Sequence, residues 1–349
     1  MGNQDKISDY IKASREIGIE ILAPDINKSF HDFKAESDNK IRYGLKAVKN
    51  VGSGTIRAVE KAREDEEFKS IIDFLKRVDM SALNIQALEA FIKAGCFDGI
   101  SESRAALLIN YEELYQKYNA LFRNRAQGQQ SFGELFFVFF LFMDEEFHYD
   151  NIDELKTETI LSQEREFLGI YLSAHPLDKY REKIEELNTQ DIVHVNNLDE
   201  GSRIFTAAHI ISYKEHITKR NNKMAFLTVN DENAKVEVIV FADLFNSLNF
   251  SIGEQSSVVI LGRKSDNQLI ADKIFSLENS FLIIDIRNLS RNKINGLQKY
   301  LLKKEGDVPV LLKKDNKMIL TDRRYSIDTS RRTLKELSKA LGEKRFKFL

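Results

Sequence analysis

The stretch KVEVIVFADLFNSLN, residues 235–249, changes its period midway. Val236, Val238 and Val240 alternate with Lys235, Glu237 and Ile239, the two-residue repeat of a strand with one face in a core. From Ala242 onward Leu244, Phe245 and Leu248 stand at helical spacing, so a short helix follows the strand. Strand-like runs flank this switch: RIFTAAHIISY (203–213) and MAFLTVN (224–230) before it, QSSVVILGR (255–263) and NQLIADKIF (267–275) after it. Five strands with a helix between the third and fourth is the layout of an OB-fold β-barrel.

Outward from the barrel the pattern is mostly helical. Residues 1–40 begin with a helical pattern at Ile7, Tyr10, Ile11 and Ile17, then run extended through IGIEILAPDIN until Pro24. Residues 41–100 read as several short helices punctuated by Gly52, Gly54, Gly95 and Gly99. ESRAALLINYEELYQKYNALFRNRAQ (102–127) predicts one longer amphipathic helix, with Ser101 as its N-cap. Residues 128–158 break every period and read as a linker. LSQEREFLGIYLSAHPLDKYREKIEEL (161–187) returns to helices, interrupted at His175-Pro176. After the barrel, strand-like FLIIDI, VPVLLK and KMILT alternate with amphipathic KINGLQKYLLKK and TLKELSKALG, which predicts a small α/β module.

The chain has 349 residues and a net charge of −2 that conceals a partition. Residues 144–200 carry 16 acidic and 5 basic side chains, residues 203–223 carry 1 and 5, and residues 287–349 carry 7 and 18. Such asymmetry implies that only parts of the chain meet a polyanion, or that oppositely charged domains attract each other. Cys96 is the only cysteine, which excludes an internal disulfide and fits a reducing compartment. The N-terminus lacks a basic segment followed by an apolar one, so no secretory signal is expected. The longest apolar run, LFFVFFLFM, has 9 residues, against about 20 for a membrane span.

AVKNVGSGTIRAVEKA (47–62) looks at first like a nucleotide-binding loop. A P-loop needs a Lys-Ser/Thr pair after its second glycine, and none follows Gly54. A dinucleotide fingerprint needs a third glycine where Arg57 stands. The alternative is a helix-hairpin-helix: an apolar helix, the turn Val51-Gly52-Ser53-Gly54-Thr55, and a second helix from Ile56. Glycines permit a tight turn and close approach of backbone. Free N–H groups at the second helix's positive end then suit a nucleic-acid phosphate. Lys46, Lys49 and Arg57 add charge, giving Lys46, Lys49, Gly52, Ser53, Gly54, Thr55 and Arg57 as candidate duplex contacts. Ala94–Gly99 is a second glycine turn, weaker as a signal. The fold class is therefore multidomain α+β: a helical helix-hairpin-helix domain, a five-stranded OB-fold barrel and a small C-terminal α/β module.

The loop between the first two barrel strands, KEHITKRNNK (214–223), is basic. A basic loop beside aromatic side chains suits unpaired bases, which stack on aromatic rings. Lys214, Lys219, Arg220, Lys223 and Phe226 are the candidate single-strand contacts. Phe241, at the end of the third strand, reads as barrel core.

Several stretches resemble one family. ILAPDIN, IRYGLKAVKNVGSGTIRAVEKAR, LEAFIKAGCFD, SRAALL, EREFLGIYLSAHPL and TKRNNKMAFLTVNDENAKVEVIVF are similar, in order and nearly end to end, to the C-terminal region of the bacterial replicative DNA polymerase III alpha subunit. The resemblance implies that 1–40 is the end of a fingers region and 41–127 the helix-hairpin-helix, clamp-binding domain on duplex DNA. Residues 128–158 would be a linker with a sliding-clamp motif, 159–202 a helical connector and 203–278 an OB domain on single-stranded template. Residues 279–349 would dock the clamp-loader subunit tau. The family's clamp motif is roughly Gln-x-x-Leu-Phe; Gln129, Gln130 and Phe132 are its nearest match, without a leucine before Phe132. The full-length family member would be a cytoplasmic DNA-directed DNA polymerase, a nucleotidyltransferase.

Polymerase chemistry needs carboxylates that hold two metal ions. In the family these lie upstream of the matching region, and no Asp-x-Asp occurs here. The expectation is a non-catalytic chain with no cofactor and no metal. It would hold DNA and dock a clamp and a clamp loader. Two other readings are open: a protein-only scaffold without DNA affinity, and an enzyme whose site uses Asp144, Glu145 and Glu146 near His148. An acidic linker accounts for those carboxylates without chemistry. The six histidines form no ligand cluster and read as surface or structural residues.

Overall fold

The computed structural model of the chain describes residues 7, 10, 11, 13–15, 17–100, 103–126, 152–218, 221–248, 250–315, 317–342 and 345–349. It divides into two units, Met1–His175 and Pro176–Leu349, at the His175-Pro176 break.

The first unit joins a small sheet to a helical body. Strands β1 (Glu20–Leu22) and β3 (Lys40–Arg42) pair parallel, and β2 (Lys34–Ser37) pairs antiparallel to β3. Helices α1 (Ser53–Ala62), α2 (Ile71–Arg77), α3 (Ile85–Lys93), α4 (Arg104–Ala126) and α5 (Thr157–Leu168) follow. Side-chain caps set two of their starts: Ser70 accepts from the Asp73 N–H and Asn84 from the Ala87 N–H. Phe74 on α2 is the hub of the core. Its ring meets Phe68, Phe91 and Phe97 edge-on at 5.1, 6.4 and 5.1 Å, the geometry the aromatic quadrupole favours.

The cap expected at Ser101 lies outside the described residues, and α4 starts at Arg104 with other partners. The Ser103 hydroxyl accepts from the Ala106 N–H at 3.1 Å. The Glu154 carboxylate accepts the N–H groups of Arg104 and Ala105 at 2.9 and 3.1 Å. A carboxylate brought from fifty residues away thus meets the positive end of the helix. The Arg104 side chain, 6% exposed, binds Asp98 at 2.6 Å and lies 3.6 Å from Glu164, which is 1% exposed. Glu164 also accepts the N–H groups of Leu172 and Ser173.

In the second unit, α6 (Arg181–Leu187) leads to a closed barrel. Its strands are β4 (Arg203–Ile217), β5 (Lys223–Asn230), β6 (Lys235–Val240), β7 (Ser257–Ser265) and β8 (Gln268–Ser276), ordered β4-β5-β6-β8-β7. Helix α7 (Ala242–Ser247) lies between β6 and β7 in sequence, so the expected OB-type layout of five strands and one helix is present. The long β4 serves both edges, pairing with β7 over its first half and β5 over its second. A register shift between Ile210 and Ser212 bends it between the two. At Gly262 on β7 an added Cβ would stand 2.8 Å from the Ile270 carbonyl oxygen, so only glycine lets β7 and β8 approach there.

The C-terminal module is a sheet ordered β12-β11-β9-β13 with two helices, α8 (Arg291–Lys303) and α9 (Arg331–Leu341). Strands β9 (Leu282–Asp285) and β11 (Val310–Lys314) are central and parallel, β12 (Lys317–Leu320) and β13 (Phe346–Phe348) are antiparallel edges, and β10 (Glu305–Val308) precedes β11. Alternation along β9 and β11 divides two cores. Leu282, Ile284 and Val310 pack with Leu297, Leu301 and Leu337 of the helices. Ile283 and Leu311 pack with Ala207 and Val259 of the barrel and Leu187 of α6. The Lys273 ammonium on β8 donates to the Leu320 and Thr321 carbonyls at 3.4 and 2.8 Å, and burial lowers its pKa. Barrel, α6 and module share one apolar cluster beside the separate cores of the barrel and the module.

Replacing Arg104 with Met leaves Glu164 buried without its cation. The expected cost is about 3 kcal/mol. Buried Cys96, whose thiol burial pushes well up, reports it: its labelling in urea should reach midpoint at lower denaturant in Arg104→Met. An unchanged midpoint would show that the pair contributes nothing.

Candidate nucleic-acid interfaces

The glycine hairpin is built differently from its sequence expectation. The segment before the turn is a single 3-10 turn, Leu45–Ala47, rather than a full helix. The second helix begins at Ser53, three residues before Ile56, with Gly52 as its N-cap. The left-handed residue of the turn is Asn50, at φ 68°, while Gly52 sits at φ −88°. A Cβ on Gly52 or Gly54 would meet nothing within 4 Å. Neither backbone conformation nor packing within the chain requires these two glycines. Gly52 can offer no side chain to cap the helix, so the orphan N–H groups of the first turn stay uncovered.

Around this end the chain exposes Lys46, Lys49, Gly52, Ser53, Gly54 and Arg57 over buried Val48, Ile56 and Val59. Thr55 differs. It is 4% exposed and its hydroxyl donates to the Ala82 carbonyl at 2.6 Å, so only its backbone N–H faces the helix end. Lys49 leans the other way, with its ammonium 3.5 Å from Glu166 and its N–H on the Phe167 carbonyl. Sequence reading passed over His31, yet its Nε2 lies 3.1 Å from the Ser53 hydroxyl and its Nδ1 3.1 Å from Asp32. The hydrogen bond from His31, with a smaller contribution from Lys46, holds the Asp32 carboxyl below its ordinary pKa.

The Pro24–Ser29 loop fixes this arrangement. Asn27 copies a strand pair, donating to the Phe68 carbonyl at 2.9 Å and accepting from the Phe68 N–H at 2.8 Å. Arg63 at the end of α1 donates to the carbonyls of Ile26 and Ser29. The ILAPDIN stretch is thereby a brace that sets the pitch of α1.

On the barrel, strand register assembles a surface row. Lys214 stands opposite Phe226, Phe226 opposite Ile239, Ile239 opposite Ile270, and Ile270 opposite Arg263. Paired residues share a face, and their neighbours Ala225, Val238, Val240, Leu269 and Ala271 fill the core. The row has cations at both ends and apolar side chains between them, and the Arg263 guanidinium is paired with Asp272 at 3.0 Å. Phe226 is 41% exposed and meets the His216 ring edge-on at 6.2 Å. Phe241 is 49% exposed, which corrects the expectation that it fills the core. Val236, Val238 and Val240 point inward, so parity turns residue 241 out. Lys223 lies 3.4 Å from Glu215, whose carboxyl the Tyr213 hydroxyl and then Lys223 hold below the usual range. Burial and the bond to Glu215 push Tyr213 up to about 12. Ile239, Ile270 and Arg263 were not singled out, because register is what joins them to Phe226.

Lys219, Arg220, Gln129, Gln130 and Phe132 lie outside the described residues, as do Asp144, Glu145, Glu146 and His148. Among the described residues no group of three or more His, Cys, Asp or Glu stands where a metal ion would be held. No described helix is long and apolar enough to cross a membrane. His209 is buried, with Nδ1 3.0 Å from the Ser257 hydroxyl, a structural role.

A helix-hairpin-helix motif family matches residues 18–107. Along most of its length the chain is similar to DNA polymerase III alpha subunits. It is 32% identical over 315 residues to that of Borreliella burgdorferi, covering 89% of this chain and 27% of the relative. It is 30% identical over 364 residues to that of Bacillus subtilis, covering 99% and 31%. Against Escherichia coli it is 28% identical over 271 residues, covering 76% and 23%. The chain thus spans under a third of the length of these relatives.

Glycine in the first turn of α1 costs helix stability that alanine would not. With open space around it, Gly54→Ala should stabilise the first unit by roughly 0.5–1 kcal/mol. Thermal unfolding checks this, and a lowered midpoint would mean that the chain itself needs the glycine.

Proposed function

We propose, for a chain similar over most of its length to DNA polymerase III alpha subunits, that it is the part of such a subunit that holds DNA without performing the transfer chemistry. The observation that carries this reading is the uncovered start of α1. Two glycines that the chain's own backbone and packing do not require leave its N–H groups open beside Lys46 and Arg57. A phosphate fits there: the helix dipole and the orphan N–H groups attract it, and no side chain stands in its way. Such a contact takes any duplex sequence, because it touches only the backbone.

The barrel row supports a second, different contact. Phe226 with Ile239 and Ile270 is an apolar strip on which bases can stack, and Lys214 and Arg263 lie where the connecting phosphates would run. Duplex on the hairpin and single strand on the barrel is the division a polymerase needs where template meets primer. Docking of a sliding clamp through Gln129, Gln130 and Phe132, and of the clamp-loader subunit tau through the C-terminal module, completes the proposal on the family resemblance alone.

Fluorescence anisotropy of the full chain with duplex, single-stranded and overhang DNA over a salt series tests it. Lys46→Gln with Arg57→Gln should make the duplex salt slope shallower by about 0.9 per lost contact. Gly54→Ala should weaken duplex binding while stabilising the fold, a combination that a purely structural glycine cannot produce. Phe226→Ala should weaken single-strand binding by about 1–3 kcal/mol and leave duplex binding unchanged. Duplex and single-strand affinities that ignore all of these substitutions would refute the reading.

A further inference from the structure

We propose that the two helices of the C-terminal module form a further nucleic-acid-backbone surface, separate from the hairpin and the barrel row; this rests on the reading that the chain holds DNA. Helix α9 exposes Arg331, Lys335 and Lys339 at four-residue spacing, one above another on the same face. Helix α8, packed on the same side of the sheet, exposes Arg291, Lys299 and Lys303. From Arg287 to Lys304 there is no acidic residue at all.

Glu336, the one acidic residue of α9, is spent elsewhere. Its carboxylate takes Lys304 at 2.8 Å, Arg332 at 3.2 Å and the Tyr300 hydroxyl at 3.3 Å, and their hydrogen bonds hold its pKa down. Among the described residues no carboxylate lies within ion-pair distance of Arg331, Lys335 or Lys339. Like charges at this spacing repel and destabilise a helix. The fold therefore carries an uncompensated stripe, and a polyanion is the ligand that compensates it.

Two features favour a nucleic acid over an acidic protein. Successive cations on α9 rise about 6 Å along the helix axis. Alternate phosphates on one strand of a duplex rise about 7 Å. Protein docking sites are anchored by large apolar or aromatic side chains in pockets, and α9 exposes none. Of the exposed large apolar residues of the module, Ile319 and Phe348 lie on strands, and α8 exposes Leu302 alone. A phosphate contact needs no anchor.

The test uses the full chain with Arg331, Lys335 and Lys339 each changed to Gln. All three are exposed, and their removal relieves repulsion, so the fold should hold; circular dichroism confirms it. Labelled 30-mer duplex and single strand are titrated from 50 to 300 mM salt. At least one slope should become shallower by about 2–3, with affinity at low salt falling at least about tenfold. Arg332→Gln, which removes a guanidinium already paired with Glu336 and outside the 331/335/339 row, should change little. Slopes unchanged in the triple variant would overturn the proposal while leaving the hairpin reading intact. An equal effect of Arg332→Gln and Lys335→Gln would overturn it too, since net charge alone would then explain the loss. Polyglutamate binding as tightly as DNA and losing that affinity in the triple variant would assign the stripe to an acidic protein. No salt-dependent DNA affinity in the unmodified chain would remove the underlying reading itself.

Discussion

A closed barrel must bury every second residue of every strand, and this constraint organises the second unit. Once Ala225, Leu227 and Val229 turn inward on β5, Phe226 has to turn out. The same parity puts Ile239 and Ile270 beside it and Lys214 and Arg263 at the ends of the row. Leaving a phenylalanine ring 41% exposed forfeits burial worth a sizeable part of ~2 kcal/mol. A polar residue would have satisfied parity equally well, so the barrel does not explain the choice of phenylalanine. The base proposed to stack on the ring would explain it.

The hairpin obeys the same logic in reverse. On the barrel a costly side chain is present that the core does not want. At α1 two side chains are missing that the fold would tolerate. Glycine in a helix's first turn gives up propensity, and Gly52 forgoes the capping bond that Ser or Asn would make. Ser70 and Asn84 make that bond for α2 and α3, whereas α1, α5, α6 and α7 start without a side-chain cap. What sets α1 apart is a glycine as its cap and a second, exposed glycine in its first turn.

Much of this was legible beforehand because it rests on period. Alternation showed the five strands, helical spacing showed the short α7, and the glycine cluster located the hairpin. What was not legible depends on where the chain meets itself. The left-handed turn residue is Asn50 rather than a glycine, because the chain reverses one step earlier and Gly52 is left extended. The cap of α4 combines Ser103 with Glu154, a carboxylate from far along the sequence that no local pattern announces. Phe241 was assigned inward because an apolar residue ending a strand is most often core. Its parity with Ile239 was visible in the sequence but lost to its hydrophobicity. The short edge β13 leaned on β9 for its existence, and three residues carry too little periodicity to show it.

The distribution of charge follows from these contacts. A chain that held one ligand at one site could balance its charge locally. Here cations stand at the open start of α1, at both ends of the barrel row and along α9; Asp272 takes Arg263 at 3.0 Å and Glu166 takes Lys49 at 3.5 Å, while no described carboxylate pairs with Arg331, Lys335 or Lys339. Elsewhere acidic residues are turned to structural work, Glu154 on the start of α4 and Glu164 behind Arg104, and on α9 Glu336 is held between the two helices. Glu215 is the revealing exception. It sits on β4, before the turn, and draws Lys223 of β5 and the Tyr213 hydroxyl onto itself. One cation of the loop is thereby tethered, while Lys214 remains beside Phe226. A loop in which every lysine was free would bind any polyanion by charge alone. With one of them held, charge contributes less and the aromatic ring more. On the proposed reading, that shifts the balance from duplex, whose bases are buried, toward a strand whose bases are available to stack.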